Sequence, residues 1–209
     1  DLISSEDTVA VCAKLLPKYS KNLRGIQIRK SGEINDATIE DFEIIPGRGW
    51  LDKEELTLLL AYAIITRGDI LEVGSYCGRS TVALAQLGRK IHAVEPFAEF
   101  DSDDLDGVGV EKDFRENTKD FDNIILYKMK VEDWTPRPAG FAYLDGDHTY
   151  QGTVNQIRKA LECKPEYIAI HDVNDNGVGK EVYRAALKLL GDFIIRSGRM
   201  AIFEPKYDK

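Results

Sequence analysis

From about residue 50 onward, short apolar runs alternate with stretches of helical periodicity. The runs at 70–73, 91–95, 124–128, 141–145 and 167–171 carry few polar positions, as expected of parallel strands covered on both faces. Between them, helical patterns occupy 79–87, 109–119, 152–162 and 179–190. This repeat predicts an α/β domain with a mostly parallel sheet and helices on both faces. The last elements break the pattern. Residues 193–196 and 200–203 flank Ser197-Gly198-Arg199 and read as an antiparallel hairpin, which brings the sheet to seven strands. A further helix is predicted over 52–66, with Asp52 as N-cap and Glu55 closing a capping box. Upstream, 6–16 has a helical pattern, and Gly25, Gly32, Pro46, Gly47 and Gly49 mark a loop or lid. The expected organisation is an N-terminal extension over 1–50 and a main domain over 51–209.

The 209 residues carry 43% hydrophobic and 31% charged side chains, ordinary for a globular protein. A formal net charge of −8 argues against nucleic acid or an anionic membrane as partner. Apolar runs stay short of the roughly 18 residues needed for a membrane span. Cys12, Cys77 and Cys163 lie far apart, and an odd count without a secretory signal points to reduced thiols and a cytoplasmic setting. The chain begins at Asp1 rather than methionine, which points to a trimmed N-terminus. A homo-oligomer is compatible with this composition, and a small molecule is the expected partner.

Candidate chemistry lies at the strand ends, where open α/β sheets bind ligands. The segment Ile70-Leu71-Glu72-Val73-Gly74-Ser75-Tyr76-Cys77-Gly78-Arg79-Ser80 runs from a buried strand through a glycine turn into a helix. Its spacing is Gly-x-x-x-Gly, not Gly-x-Gly-x-x-Gly. A carboxylate just before the turn suits a sulfonium or ammonium ligand better than a pyrophosphate, so the loop favours S-adenosylmethionine over NAD. Glu95 follows about 20 residues later, where a carboxylate can accept from ribose hydroxyls. Asp145, His171 and Asp172 end adjacent strands and make a plausible divalent-ion set. The competing reading is that Asp147 or Asp172 caps the next turn. His148, three residues past Asp145, is a candidate general base alongside Asp145. His92 and Cys77 read as packing residues and 101–106 as a solvated acidic loop. Trp50 is equally suited to covering a ligand or to packing.

These residues resemble known families. Leu71 to Ser80 resembles the cofactor loop of catechol O-methyltransferase and its relatives. Leu144-Asp145-Gly146-Asp147-His148-Thr149-Tyr150, with His171-Asp172, resembles a bacterial group of class I S-adenosylmethionine-dependent methyltransferases that includes sugar O-methyltransferases. The resemblance implies a Rossmann-like class I methyltransferase fold over about 50–205. It implies that Glu72, Gly74, Tyr76 and Ser80, with loop residues Ser75 and Gly78, cradle the methionine end of the cofactor beside Asp145. Glu95 would hold the ribose, and Val131 and Glu132 would lie beside the adenine. Asp145, His171 and Asp172 match metal positions, for Mg²⁺ or Mn²⁺, and His148 stands where the catechol family keeps a catalytic lysine. Two departures stand out: His-Asp replaces Asp-Asn at the fifth strand end, and Met129 replaces a glycine near the adenine. The expected activity is metal-assisted O-methylation of a sugar or phenol. The rivals are an NAD(P)-linked oxidoreductase, disfavoured by the loop spacing and the hairpin, and a non-catalytic binding module on the same fold.

Overall fold

The computed structural model describes residues 49–97, 107–177 and 179–207. The expected helix at 6–16, most of the glycine-containing loop, the acidic loop and nearly all of the 1–50 extension lie outside these residues. Helix α1 (Lys53–Ile65) precedes β1 (Ile70–Val73), α2 (Arg79–Ala85), β2 (Ile91–Val94), α3 (Gly107–Thr118) and β3 (Ile124–Tyr127). A 3-10 turn (Val131–Asp133) leads to β4 (Phe141–Leu144), α4 (Tyr150–Glu162), β5 (Tyr167–Ile170), α5 (Gly179–Leu190), β6 (Ile195–Ser197) and β7 (Met200–Phe203). Each sequence-predicted strand and helix within the described residues is present, with ends shifted by at most two residues.

The seven strands lie in the order β3-β2-β1-β4-β5-β7-β6. Strands β1 to β5 are parallel, and β7 runs antiparallel to both β5 and β6. The predicted hairpin is therefore correct, but its second strand, not its first, joins β5. Arg196 pairs with Ala201 and Ser197 with Met200, leaving a two-residue turn. Gly198 takes φ +55 at its first position, a conformation that disfavours any residue with a Cβ.

Strand alternation splits the core in two. Ile70, Ile91, Ala93, Phe141, Tyr143, Ala169 and Ile202 pack against α1, α2 and α3. Leu71, Val73, Ala142, Leu144, Ile168, Ile170 and Phe203 pack against α4 and α5. Strands β1, β2, β4 and β7 are buried at every position, which accounts for their apolar runs, interrupted in β1 by Glu72 and in β2 by His92. Helix α1 is buried continuously over residues 55–64 and is apolar on nearly all sides. The arrangement is a three-layer α/β/α sandwich that directs the carboxyl ends of five parallel strands to one edge. Among the described residues, no helix is long and apolar enough to cross a membrane.

Candidate active site

The turn after β1 packs directly on the turn after β4. Gly74 has φ +86, and a Cβ there would overlap the Asp145 carbonyl and the Gly146 Cα. Only glycine permits this backbone approach. On the β4 side, Gly146 donates to Gln156 Oε1 at 3.0 Å and Gln156 Nε2 donates to the Asp147 carbonyl at 2.7 Å. Buried Gln156 is thus a support of the site that the sequence reading missed.

Glu72 is completely buried beneath the loop. Its carboxylate accepts from Ser80 Oγ at 2.6 Å, Thr81 Oγ1 at 2.5 Å and Ser75 Oγ at 2.9 Å. Burial pushes its pKa up to about 7, against the pull of the three hydroxyls. Glu72 therefore ties β1 to α2 and gives the loop its shape from below. Glu95 does so from the side: Oε2 accepts from the Ser75 and Tyr76 N–H at 2.9 and 3.0 Å, and Oε1 from the Phe97 N–H at 2.8 Å. Three of the roughly four lone-pair positions of a carboxylate are used by backbone. One remains open; the sequence assigned Glu95 to ribose hydroxyls and gave no sign of these backbone contacts. Tyr76 adopts φ +47, and its ring meets Trp50 at 5.4 Å between centroids. Trp50 is 64% exposed, so it stands over the loop rather than in the core. Gly78 precedes α2. Val131 is buried in the 3-10 turn, and Glu132 accepts from Asn155 Nδ2 at 2.7 Å.

At the ends of β4 and β5 the structure assembles a dense charged group. Asp145 Oδ2 accepts from the Tyr143 hydroxyl at 3.0 Å, while Oδ1 lies 3.4 Å from His148 Nε2 and 3.3 Å from His171 Nδ1. Asp172 has φ +55; its Oδ1 accepts from Arg199 Nη1 at 2.9 Å, and its Oδ2 lies 3.3 Å from His148 Nε2 and 3.4 Å from His171 Nδ1. His171 is 2% exposed, and its Nε2 meets Glu55 Oε2 at 3.1 Å. Its Nδ1 is buried without an aligned hydrogen bond, so its attraction to the two aspartates is one of charge and proximity.

Charge settles accordingly. Burial alone would raise the Asp145 carboxyl, but the imidazoles of His148 and His171 outweigh it and bring it down to about 2. Desolvation opposes charge on His171, yet Asp145, Asp172 and Glu55 push its pKa up to about 12. Asp145 also raises His148 above its ordinary value. Burial works against Asp172 and Glu55 too, and the His171 imidazole brings both below theirs. Three carboxylates thus face Arg199 and a charged His171, leaving one negative charge at the mouth beside His148.

Beside the expected metal set, this geometry offers a second histidine. His171 faces Glu55 with one nitrogen and is buried, whereas His148, Asp145 and Asp172 offer ligand atoms within 4.8 Å of one another and are partly open. The expected base, His148, thus stands in the metal-capable trio. Of the competing capping roles, Asp147 does accept from the Thr149 N–H at 2.8 Å, whereas Asp172 pairs with Arg199. His92 is structural as expected, set between Tyr127 and Asp69. Cys77 and Cys163 are buried. Arg199, Tyr143 and Glu55 were missed as site residues. Only the capping-box spacing drew attention to Glu55, and for a different reason.

Residues 71–173, from inside β1 to just past β5, match a family model described as a methyltransferase domain. Over this stretch the chain carries a methyltransferase domain. Among solved structures, the methyltransferase aligns with the cofactor-bound Rv0187 from MTB at TM-score 0.56 and 17% identity, over 81% of this chain and 86% of that one. It also aligns with the N-methyltransferase NodS from Bradyrhizobium japonicum WM9 at TM-score 0.51 and 13% identity, over 74% and 96% of the two chains. The O-methyltransferase from Bacillus cereus in complex with SAH aligns at TM-score 0.45 and 15% identity, over 90% and 79%. No curated protein matches the sequence. The β3-β2-β1-β4-β5-β7-β6 sheet, the glycine loop and the family match together make this an S-adenosylmethionine-dependent methyltransferase. The oxidoreductase and the non-catalytic readings give way to it.

Proposed function

We propose that this enzyme methylates a hydroxyl oxygen of a small acceptor, a sugar or a phenol, with His148 as the base. The observation that carries the reading is the backbone contact of Gly74 with Asp145 and Gly146, which sets the cofactor loop against the charged group of β4 and β5. S-adenosylmethionine supplies an electrophilic sulfonium methyl; the acceptor oxygen forms the C–O bond as the C–S bond breaks, leaving S-adenosylhomocysteine. The chain holds the donor with Gly74, Ser75, Tyr76, Gly78 and Ser80, braced by Glu72 and Glu95, with Val131 and Glu132 beside the adenine. Such a displacement needs alignment and exclusion of water more than bond chemistry from the protein. His148 takes the acceptor proton, and Asp145 and Asp172 orient its ring.

A second reading keeps a divalent ion. His148 Nε2 lies 3.4 and 3.3 Å from the aspartate oxygens. Donors on a tetrahedral ion with bonds near 2.1 Å lie about 3.4 Å apart, so the spacing fits a cation. One imidazole with two carboxylates suits Mn²⁺, Zn²⁺ or Fe²⁺ better than the Mg²⁺ expected from the oxygen-rich set. When bound, such an ion would lower the pKa of an acceptor hydroxyl. In that case His148 is a ligand and cannot serve as a free base.

The decisive experiment follows label from S-[methyl-³H]adenosylmethionine into a panel of sugars, phenols and amines, with and without EDTA. Transfer to amines alone would defeat O-methylation. Full activity in EDTA would keep His148 as base and remove the ion.

A further inference from the structure

We propose that Glu55 is a positioning residue for the acceptor side of this site, an inference that rests on the methyltransferase reading of the β4 and β5 ends. Glu55 sits in the first turn of α1 and is 1% exposed. As the partner of a capping box it needs only to accept from the Asp52 N–H, which it does with Oε2 at 3.1 Å. That duty is normally performed at a helix surface. Burying a carboxylate is costly unless it is paired, and Glu55 is paired with two groups from the far end of the chain. Its Oε2 also meets His171 Nε2 at 3.1 Å, and its Oε1 accepts from the Arg199 N–H at 2.7 Å. These are contacts across 116 and 144 residues of sequence.

Both contacts lead to Asp172. Through the His171 ring, Glu55 reaches the Oδ2 side, since Nδ1 on the opposite edge of the imidazole lies 3.4 Å from it. Through Arg199 it reaches the other oxygen, which Nη1 holds at 2.9 Å. The same His171 edge lies 3.3 Å from Asp145 Oδ1. One buried carboxylate therefore fixes, by two routes, the carboxylates that face His148. The β6–β7 turn accommodates it: a Cβ on Gly198 would lie 2.6 Å from Glu55 Oε1. Among the described residues its polar partners are Asp52, His171 and Arg199, so it acts on the site only through other groups.

The protein has three histidines, so ring ¹⁵N labelling gives three resolvable systems. His92, held by Asp69 and Tyr127, is the internal reference. In the wild type, the His171 Nε2 must carry a slowly exchanging proton. An unprotonated Nε2 overturns the proposal whether or not any variant folds. In Glu55→Gln, an amide cannot accept at both ends, so the His171 and His148 signals shift while His92 stays and S-adenosylhomocysteine affinity, read by calorimetry, is unchanged. Asp52→Ala removes the cap but leaves Glu55 on His171 and Arg199. It lowers the melting temperature without moving either ring. Unmoved His148 signals in folded Glu55→Gln, or an equal loss of S-adenosylhomocysteine affinity, reduce Glu55 to a general structural residue and overturn the inference. Failure of the wild type to bind S-adenosylhomocysteine would instead strike the methyltransferase reading and leave the ring measurements standing.

Discussion

At the scale of single residues, burial decides which of the candidate groups act on a ligand and which on the protein. Glu72 has its folded pKa near 7 against 4.5 for the free carboxyl. The bound proton favours the folded state, so this contribution is complete below pH 4.5 and is lost as pH rises through 7. At 1.36 kcal/mol per unit the whole change is about 3 kcal/mol. Denaturant melts at pH 5 and 8 should therefore show the wild type losing stability relative to Glu72→Gln by up to that amount. Glu95→Ala should weaken S-adenosylhomocysteine by about 1.5–3 kcal/mol, the scale for hydrogen bonds to a charged group, as read by calorimetry. An unaltered affinity would exclude Glu95 from cofactor binding. His148 is raised by Asp145, so its base form fills only above its ordinary 6.5. The kcat profile should fall on the acid side with a midpoint above 6.5. His148→Ala should lose about 10²–10⁴-fold in kcat with S-adenosylhomocysteine affinity unchanged.

At the scale of elements, the strands and the loop were legible because their signals are local. Ile70 to Ser80 states a buried strand, a glycine turn and a helix in eleven consecutive residues, and its function depends on that same continuity. What sequence reasoning could not place are contacts made by topology. Arg199 reaches Asp172, and Glu55 reaches His171, only because β7 inserts beside β5 and α1 packs beneath. Nothing in the local pattern around His171 says which nitrogen faces which acid, so the expected metal set named His171, whereas among the described residues Asp145, His148 and Asp172 bring ligand atoms within 4.8 Å of one another. The β6–β7 turn gives an element-level test. Gly198→Ala combines φ +55 with a Cβ 2.6 Å from Glu55 Oε1. It should destabilise by about 1–3 kcal/mol in denaturant melts, whereas alanine at exposed Lys206 should be neutral.

At the scale of the whole molecule, the sheet couples cofactor binding to global stability, because the loop after β1 is tied to β2 by Glu95 and to β4 at Gly74. S-adenosylhomocysteine at 100 times its Kd should add about 2.7 kcal/mol to unfolding, and NAD at the same concentration should add nothing. Thermal melts with each ligand read this directly. The position of β7 also constrains the order in which the protein can be made. The strand that covers β5 follows β6 in the chain, yet it lies inside the sheet, between β5 and β6. Until the ribosome has passed Phe203, the apolar edge of β5 has no partner, and β6 has nothing to pair with. A nascent chain therefore carries an open, sticky sheet edge from the emergence of β5 until β7 follows. A stop codon just after Gly198 would leave most of the sequence intact and produce a protein fated for aggregation or degradation.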